Sequence, residues 1–241
     1  RFFESVLRIN IDIFLPHFLE KNHPPPFIFS FLFSHPSSIL PKAMAMAMKF
    51  EKSGIYHIYN RGNYRQRIFF NNGNYEYFLK KCHHFLKPVC RIFAWCLMPN
   101  HFHFLIDVDD KSLVPVKSGG ISMPAITNGF RLLQSSYAKG VNKQQNRTGN
   151  LFQQKTKAKL VSGQDDYTRT AFLYIHQNPV KAKLIKLPGE WEYSSWREYF
   201  QGYNSGLCDT TKFLQLPCII ERPVTKDMED QIKDEDEDSL F

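Results

Sequence analysis

No two of the five cysteines (Cys82, Cys90, Cys96, Cys208 and Cys218) stand at CxxC spacing, and their number is odd. That argues against a disulfide framework and a thiolate zinc site, and fits a reducing, cytoplasmic compartment. Long apolar runs are missing too. The most apolar stretch, Phe27–Phe33 (FIFSFLF), is short and follows Pro24, Pro25 and Pro26, and residues 22–41 contain five prolines. Such a segment suits neither a membrane-spanning helix nor the unbroken core of a signal peptide. The aromatic RNP signature of RNA-binding sheets is not evident, which ranks an RNA-binding module low. The 241 residues are 43% apolar and 22% charged. This excludes collagen-like, coiled-coil and wholly disordered chains and leaves a soluble protein of one to two domains.

What the chain does have is positive charge, unevenly placed. The formal net charge is +8. Residues 226–241 hold eight acids and two lysines, a net of −6, and residues 1–48 net +1, which leaves +13 on residues 49–225. A stretch that basic suggests a polyanionic partner, nucleic acid first among them. The acidic tail, 226–241, has almost nothing to bury and is expected to be disordered and solubilising. Residues 1–47 differ in composition from the rest of the chain. They are expected to be an extension upstream of a start at Met44, Met46 or Met48.

Between these ends the periodicities alternate. Gly54 to Asn60 sets Ile55, His57 and Tyr59 against Tyr56 and Ile58, a strand, followed by a turn at Arg61-Gly62-Asn63. Tyr75, Phe78, Leu79, Cys82 and Leu86 mark one helix face ending near Pro88. Cys90 to Met98 is apolar on both faces except Arg91, as a central strand would be. After Pro99-Asn100, residues His101 to Val108 alternate again, which predicts an antiparallel hairpin. Residues 109–124 read as a loop. A helix then carries Ile126, Phe130, Leu133 and Tyr137, and Gly140 is expected to end it. Residues 141–156 read as a polar, basic loop. Lys157 to Val161 is a short strand, and a helix capped by Asp165 or Asp166 should run to about Gln177, stopped by Pro179. The order β-α-β-β-α-β-α predicts an α+β, ferredoxin-like (RRM-like) fold. That fold is a four-stranded antiparallel sheet with helices on one face, plus an additional C-terminal helix. The second sheet face needs a cover: that last helix, a partner or nucleic acid.

His101-Phe102-His103 is the sharpest chemical feature. Histidines at i and i+2 of a strand project from one face with Cα atoms roughly 6.6 Å apart, so both imidazoles can converge on one metal ion. A bare HxH is more often an incidental surface pair. Tyr174 and Asn178, at i and i+4, share a helix face and add a phenol and a carboxamide. Taken alone, a tyrosine in such a helix is more often a core aromatic. His176 points elsewhere and reads as structural. His57 could approach the sheet centre, but nothing in the sequence ties it to this group. Tyr167 is the rival phenol on the same helix.

These residues carry a resemblance. CLMPNHFHFLI (Cys96–Ile106), followed by LYIHQNPVKAKLI (Leu173–Ile185), resembles the single-tyrosine HUH transposases and, among them, the REP-associated tyrosine transposases. YHIYNRGNYRQRIF (Tyr56–Phe69), GNLFQQKTKAKLV (Gly149–Val161) and WEYSSWREY (Trp191–Tyr199) are similar to the same family, so the likeness covers roughly 54–200. It implies a metal-dependent enzyme that cleaves and rejoins single-stranded DNA at hairpin-containing sites, with Tyr174 as nucleophile forming a 5′-phosphotyrosine. It implies His101 and His103 as ligands of Mg²⁺ or Mn²⁺, with Asn178 in the position of a third ligand. Residues 48–203 would be the catalytic domain and 204–225 a C-terminal extension. Arg61, Arg65, Arg67, Lys143, Arg147, Lys155, Lys157 and Lys159 are candidates for the DNA backbone. A relative that binds hairpins without cutting is the alternative. Family members build sites in cis or in trans, so a homodimer with a composite site is compatible with the sequence.

Overall fold

The first strand, β1 (Gly54–Arg61), lies inside the main sheet and has a partner on each side. The computed structural model of the chain describes Met48, Phe50 and residues 53–162 and 167–225. The expectations for residues 1–47, for Asp165 and Asp166, and for 226–241 fall outside the described residues.

After β1 come α1 (Asn72–Phe85), β2 (Arg91–Met98) and β3 (His101–Val108). Asn71 caps α1, its side chain accepting from the Asn74 N–H. Then come a short helix, α2 (Asp110–Leu113), and a two-stranded hairpin, β4 (Pro115–Ser118) with β5 (Ile121–Pro124). The long α3 (Ala125–Gln144), β6 (Lys157–Leu160) and α4 (Tyr167–Lys181) complete the first part of the chain. Three short helices close it: α5 (Trp196–Phe200), α6 (Thr210–Leu214) and α7 (Pro217–Glu221). The sheet runs β2-β3-β1-β6, every pair antiparallel, with α1 and α3 as the two crossovers. This is an α+β fold, and the four sheet strands with α1, α3 and α4 keep the β-α-β-β-α-β-α order the sequence predicts.

Two apolar cores arise from strand alternation. Phe102, Phe104, Ile106 and Val108 of β3 face α1 and α3, and meet Phe78, Phe130, Leu133 and Tyr137. Leu105, on the opposite face, packs with Phe172, Tyr174 and Ile175 of α4. The last helix is therefore what covers the second sheet face. Residues 204–225 add Phe213, Ile219 and Val224 to that same core, so this segment packs as part of the domain it was expected to extend.

The structure departs from three sequence expectations. Residues 109–124 are not a plain loop, since they form α2 and the β4–β5 hairpin around Gly119-Gly120, both glycines having positive φ. Gly140 does not end α3, which continues to Gln144. A Cβ on Gly140 would sit 3.0 Å from the Tyr77 ring, so this glycine serves close helix packing rather than termination. Nor does Pro179 stop α4. It removes one hydrogen bond within the last turn, a loss the buried apolar face of the helix tolerates, and the helix runs on to Lys181.

The WEYSSWREY segment protects an edge. Ser195 N–H donates to Trp95 O (2.9 Å), and Leu97 N–H donates to Tyr193 O (2.8 Å), so residues 193–195 cover the outer side of β2. No disulfide links the five cysteines, all of which are described. No helix among the described residues is long and apolar enough to cross a membrane.

Candidate functional site

The β1–β3 register sets Tyr59 opposite His103 and Arg61 opposite His101, while β6 places Lys157 opposite Tyr59 and Lys159 opposite His57. Side chains at directly opposite positions share a face. One end of the α4-facing side of the sheet therefore gathers His57, Tyr59, Arg61, His101, His103, Lys157 and Lys159. The ring centroids of His101 and His103 are 5.0 Å apart.

His57 is the residue that sequence reasoning left out. Its Nε2 lies 2.9 Å from His103 Nδ1, a diagonal cross-strand pair, both rings fully buried. Its place on the same alternating strand face as Tyr59 was readable, but the pairing of β1 with β3 was needed to bring it to His103.

The helix-borne pair also reaches this group. The Tyr174 ring meets the edges of His103 (5.7 Å between centroids) and His57 (5.9 Å). Lys181 Nζ stands 5.7 Å from the centre of the Tyr174 ring. The Asn178 side chain lies beside His101, and its Nδ2 donates to Tyr174 O (2.8 Å). Because α4 passes through Pro179, Asn178 lies within the helix rather than at its end.

The imidazoles are neutral at neutral pH. Burial lowers His57 to about 3, with the Lys159 charge adding to the effect. Burial lowers His101 to about 4 against the opposing effect of the Asn178 side chain, and Arg61 pushes it further down. His103 is held well below its ordinary value by burial and by the other two histidines. Neutral imidazole is the form that ligates metals.

The donor set fits a divalent cation. Asn100 Nδ2 donates to Arg65 O (3.3 Å), which leaves Asn100 Oδ1 facing His101 Nδ1 at 2.6 Å. The proton of His101 therefore sits on Nδ1, which leaves its lone pair on Nε2. The Asn178 amide nitrogen donates to Tyr174 O, so its carbonyl oxygen is the end that can serve a cation. An imidazole nitrogen and a carboxamide oxygen on neighbouring side chains suit a shared cation. The described residues contain no group of three or more His, Cys, Asp or Glu arranged for a metal. The set available is two imidazoles and one carboxamide.

A pocket of about 130 Å³ opens beside the histidines, lined by Tyr59, Asn60, Arg61, His101, His103, Gln153, Lys155 and Lys157. Tyr174, 4% exposed, is not part of this lining. Its rival Tyr167 is 39% exposed, with Lys159 over its ring, and is not part of the lining either. His176 is structural, as its helical position suggests. Its Nδ1 donates to Phe172 O (2.8 Å), and its Nε2 lies 2.8 Å from Ser195 Oγ.

The family model described as "Transposase IS200 like" matches residues 51–178, just over half of the chain, from before β1 to Asn178 in α4. The chain belongs to the IS200-like transposase family. It is accordingly a DNA transposase. No curated protein matches the chain. Among solved structures, it resembles one titled as the REP-associated tyrosine transposase bound to a REP hairpin. The identity is 17% and the TM-score 0.45, over 62% of this chain and 81% of that one.

In this transposase the basic candidates separate into groups. Arg61, Lys155 and Lys157 line the pocket, and Lys159 sits beside His57. Arg65 and Arg67 are exposed on the turn after β1. Lys143 lies in the last turn of α3 and Arg147 just beyond it, neither contributing to the pocket.

Proposed function

We propose that this transposase cleaves and rejoins single-stranded DNA at hairpin-containing sites through a covalent 5′-phosphotyrosine on Tyr174. The observation that carries the reading is the meeting of the β3 histidines with α4: His103 against the Tyr174 ring, and His101 against Asn178. The hairpin preference rests on the sequence resemblance.

His101, His103 and Asn178 would hold a Mg²⁺ or Mn²⁺ ion. When bound, it supplies Lewis-acid polarisation of the scissile phosphate. Arg61, Lys155 and Lys157 bind the phosphates on either side and orient the strand. The Tyr174 oxygen attacks phosphorus and gives up its proton. The bond to the 3′ oxygen breaks, and that oxygen leaves as a 3′-OH. The phosphodiester energy is conserved in the tyrosine ester, so an incoming 3′-OH reverses the step without ATP. Because Tyr174 is nearly buried, its side chain must turn toward the pocket for the attack.

The test is incubation with hairpin DNA carrying single-stranded flanks, in Mn²⁺ or Mg²⁺. Wild type should form a denaturation-resistant protein–DNA adduct, and Tyr174→Phe should form none. Undiminished adduct in that variant would reject the nucleophile. Tight binding with no adduct from wild type would favour a protein that binds hairpins without cutting them.

A further inference from the structure

We propose that Tyr64 is a stacking platform for a nucleobase of the strand that enters the pocket. The inference rests on the proposed single-strand activity. Tyr64 is 94% exposed, the most exposed large apolar side chain among the described residues. Its backbone is left-handed (φ 52°, ψ 31°), and so is that of the next residue, Arg65 (φ 57°). Two consecutive non-glycine residues in this region are rare, and surrounding contacts must impose the conformation.

Those contacts are present at both ends of the turn. Gly62 N–H donates to Asn100 O (2.7 Å), and Asn63 N–H to Leu151 O (2.9 Å). Ile68 N–H donates to Pro99 O (2.8 Å), and Gln66 Nε2 to Leu151 O (3.1 Å). Gly62 permits the tight closure, since a Cβ there would lie 2.1 Å from Gln66 O. The turn is thus a fixed pedestal that holds an aromatic ring in water.

Its position gives the ring a use. Arg61, three residues away, lines the pocket and pairs with His101, and three residues span at most about 11 Å. Asn100 holds Arg65 O with its amide nitrogen and His101 with its amide oxygen, linking the pedestal to a candidate ligand. Arg61, Arg65 and Arg67 surround Tyr64 in sequence and are exposed. A rigid aromatic among guanidinium groups suits a base whose phosphates the arginines neutralise. A lone ring among cations does not make an apolar docking face for a protein.

The probes are a fluorescein-labelled 20-nucleotide dT strand and a DNA hairpin with a single-stranded 5′ extension, read by anisotropy. Tyr64→Ala should weaken binding about 5- to 150-fold, and Tyr64→Phe and Tyr64→Trp should stay near wild type. The salt slope should be unchanged in Tyr64→Ala, whereas Arg65→Ala should lower it by about 0.7. Tyr64→Gly should lose the same affinity while Tm holds or rises by about 2–4 °C, because glycine accepts the left-handed backbone. Wild-type affinity in Tyr64→Ala would overturn the inference and leave the cleavage reading standing. So would a Tyr64→Phe as weak as Tyr64→Ala, or a drop in Tm in Tyr64→Gly. Failure of wild type to bind either probe would overturn both.

Discussion

His57 Nε2 and His103 Nδ1 meet at 2.9 Å across the two central strands of the sheet. This contact decides which nitrogen of His103 can serve a metal. If His103 donates from Nδ1, its Nε2 carries the lone pair, and His57 acts as the outer partner that fixes the tautomer. His57 then holds its own proton on Nδ1, a buried atom with no hydrogen-bond partner among the described residues. That arrangement costs about 1–3 kcal/mol. His57→Phe should therefore weaken Mn²⁺ binding about 10- to 100-fold by calorimetry. His57→Gln, whose carbonyl can accept from His103, should recover most of it. Equal affinities in wild type and His57→Phe would remove His57 from the site.

Much of this arrangement is legible in the residues and some is not. The alternation of His101, Phe102 and His103 foretells the two faces of β3, because a strand's period is two and Phe102 has only the core to enter. The i, i+4 spacing foretells that Tyr174 and Asn178 travel together. The His57–His103 contact is not local. It depends on the register of β1 against β3, which no pattern within either strand specifies. Gly140 and Pro179 mislead for a related reason. Both are breakers by propensity, and tertiary packing against Tyr77 and the second core overrides that propensity. The basic residues are the least legible. Lys143 and Lys157 look alike in sequence, and only the fold shows that one lines the pocket and the other does not.

Acid should destabilise the metal-free protein over a defined window. His57, His101 and His176 are lowered by burial to about 3, 4 and 3, and His103 lies well below its ordinary value. Their folded values are depressed, so the unfolded chain takes up protons first as pH falls. The stability is complete above about pH 6.5 and drains away as pH drops toward 3. Each histidine contributes a slope of about 1.4 kcal/mol per pH unit within the window. Urea denaturation at pH 7.5 and pH 5 should differ by several kcal/mol. A flat profile would mean that these imidazoles are not buried in the neutral form.

The helix that carries Tyr174 is pinned through His176. Ser195 Oγ lies 2.8 Å from His176 Nε2 and accepts from Trp95 N–H at 2.9 Å, joining α4 to the edge strand β2. Ser195→Ala leaves both groups buried without that partner and should cost about 2–4 kcal/mol. Cleavage should fall further than the folded fraction accounts for, because the anchor lies one half-turn from Tyr174. Wild-type stability in Ser195→Ala would show that the contact bears no weight.

Backbone binding should distinguish lysines by where the fold puts them. Lys157 lines the pocket with His101 and His103, while Lys143 lies in the last turn of α3 and is not part of the lining. Neutralising one phosphate of a single strand contributes about −0.7 to the slope of log K against log salt. Lys157→Ala should reduce the magnitude of that slope by about 0.7, weaken binding at low salt, and lose its effect as salt rises. Lys143→Ala should leave both slope and affinity at wild-type values. Both lysines are exposed and carry the same charge, so a non-specific basic surface would respond equally to either change. Equal effects from the two substitutions, measured by anisotropy across a salt series, would mean that the DNA does not follow the pocket.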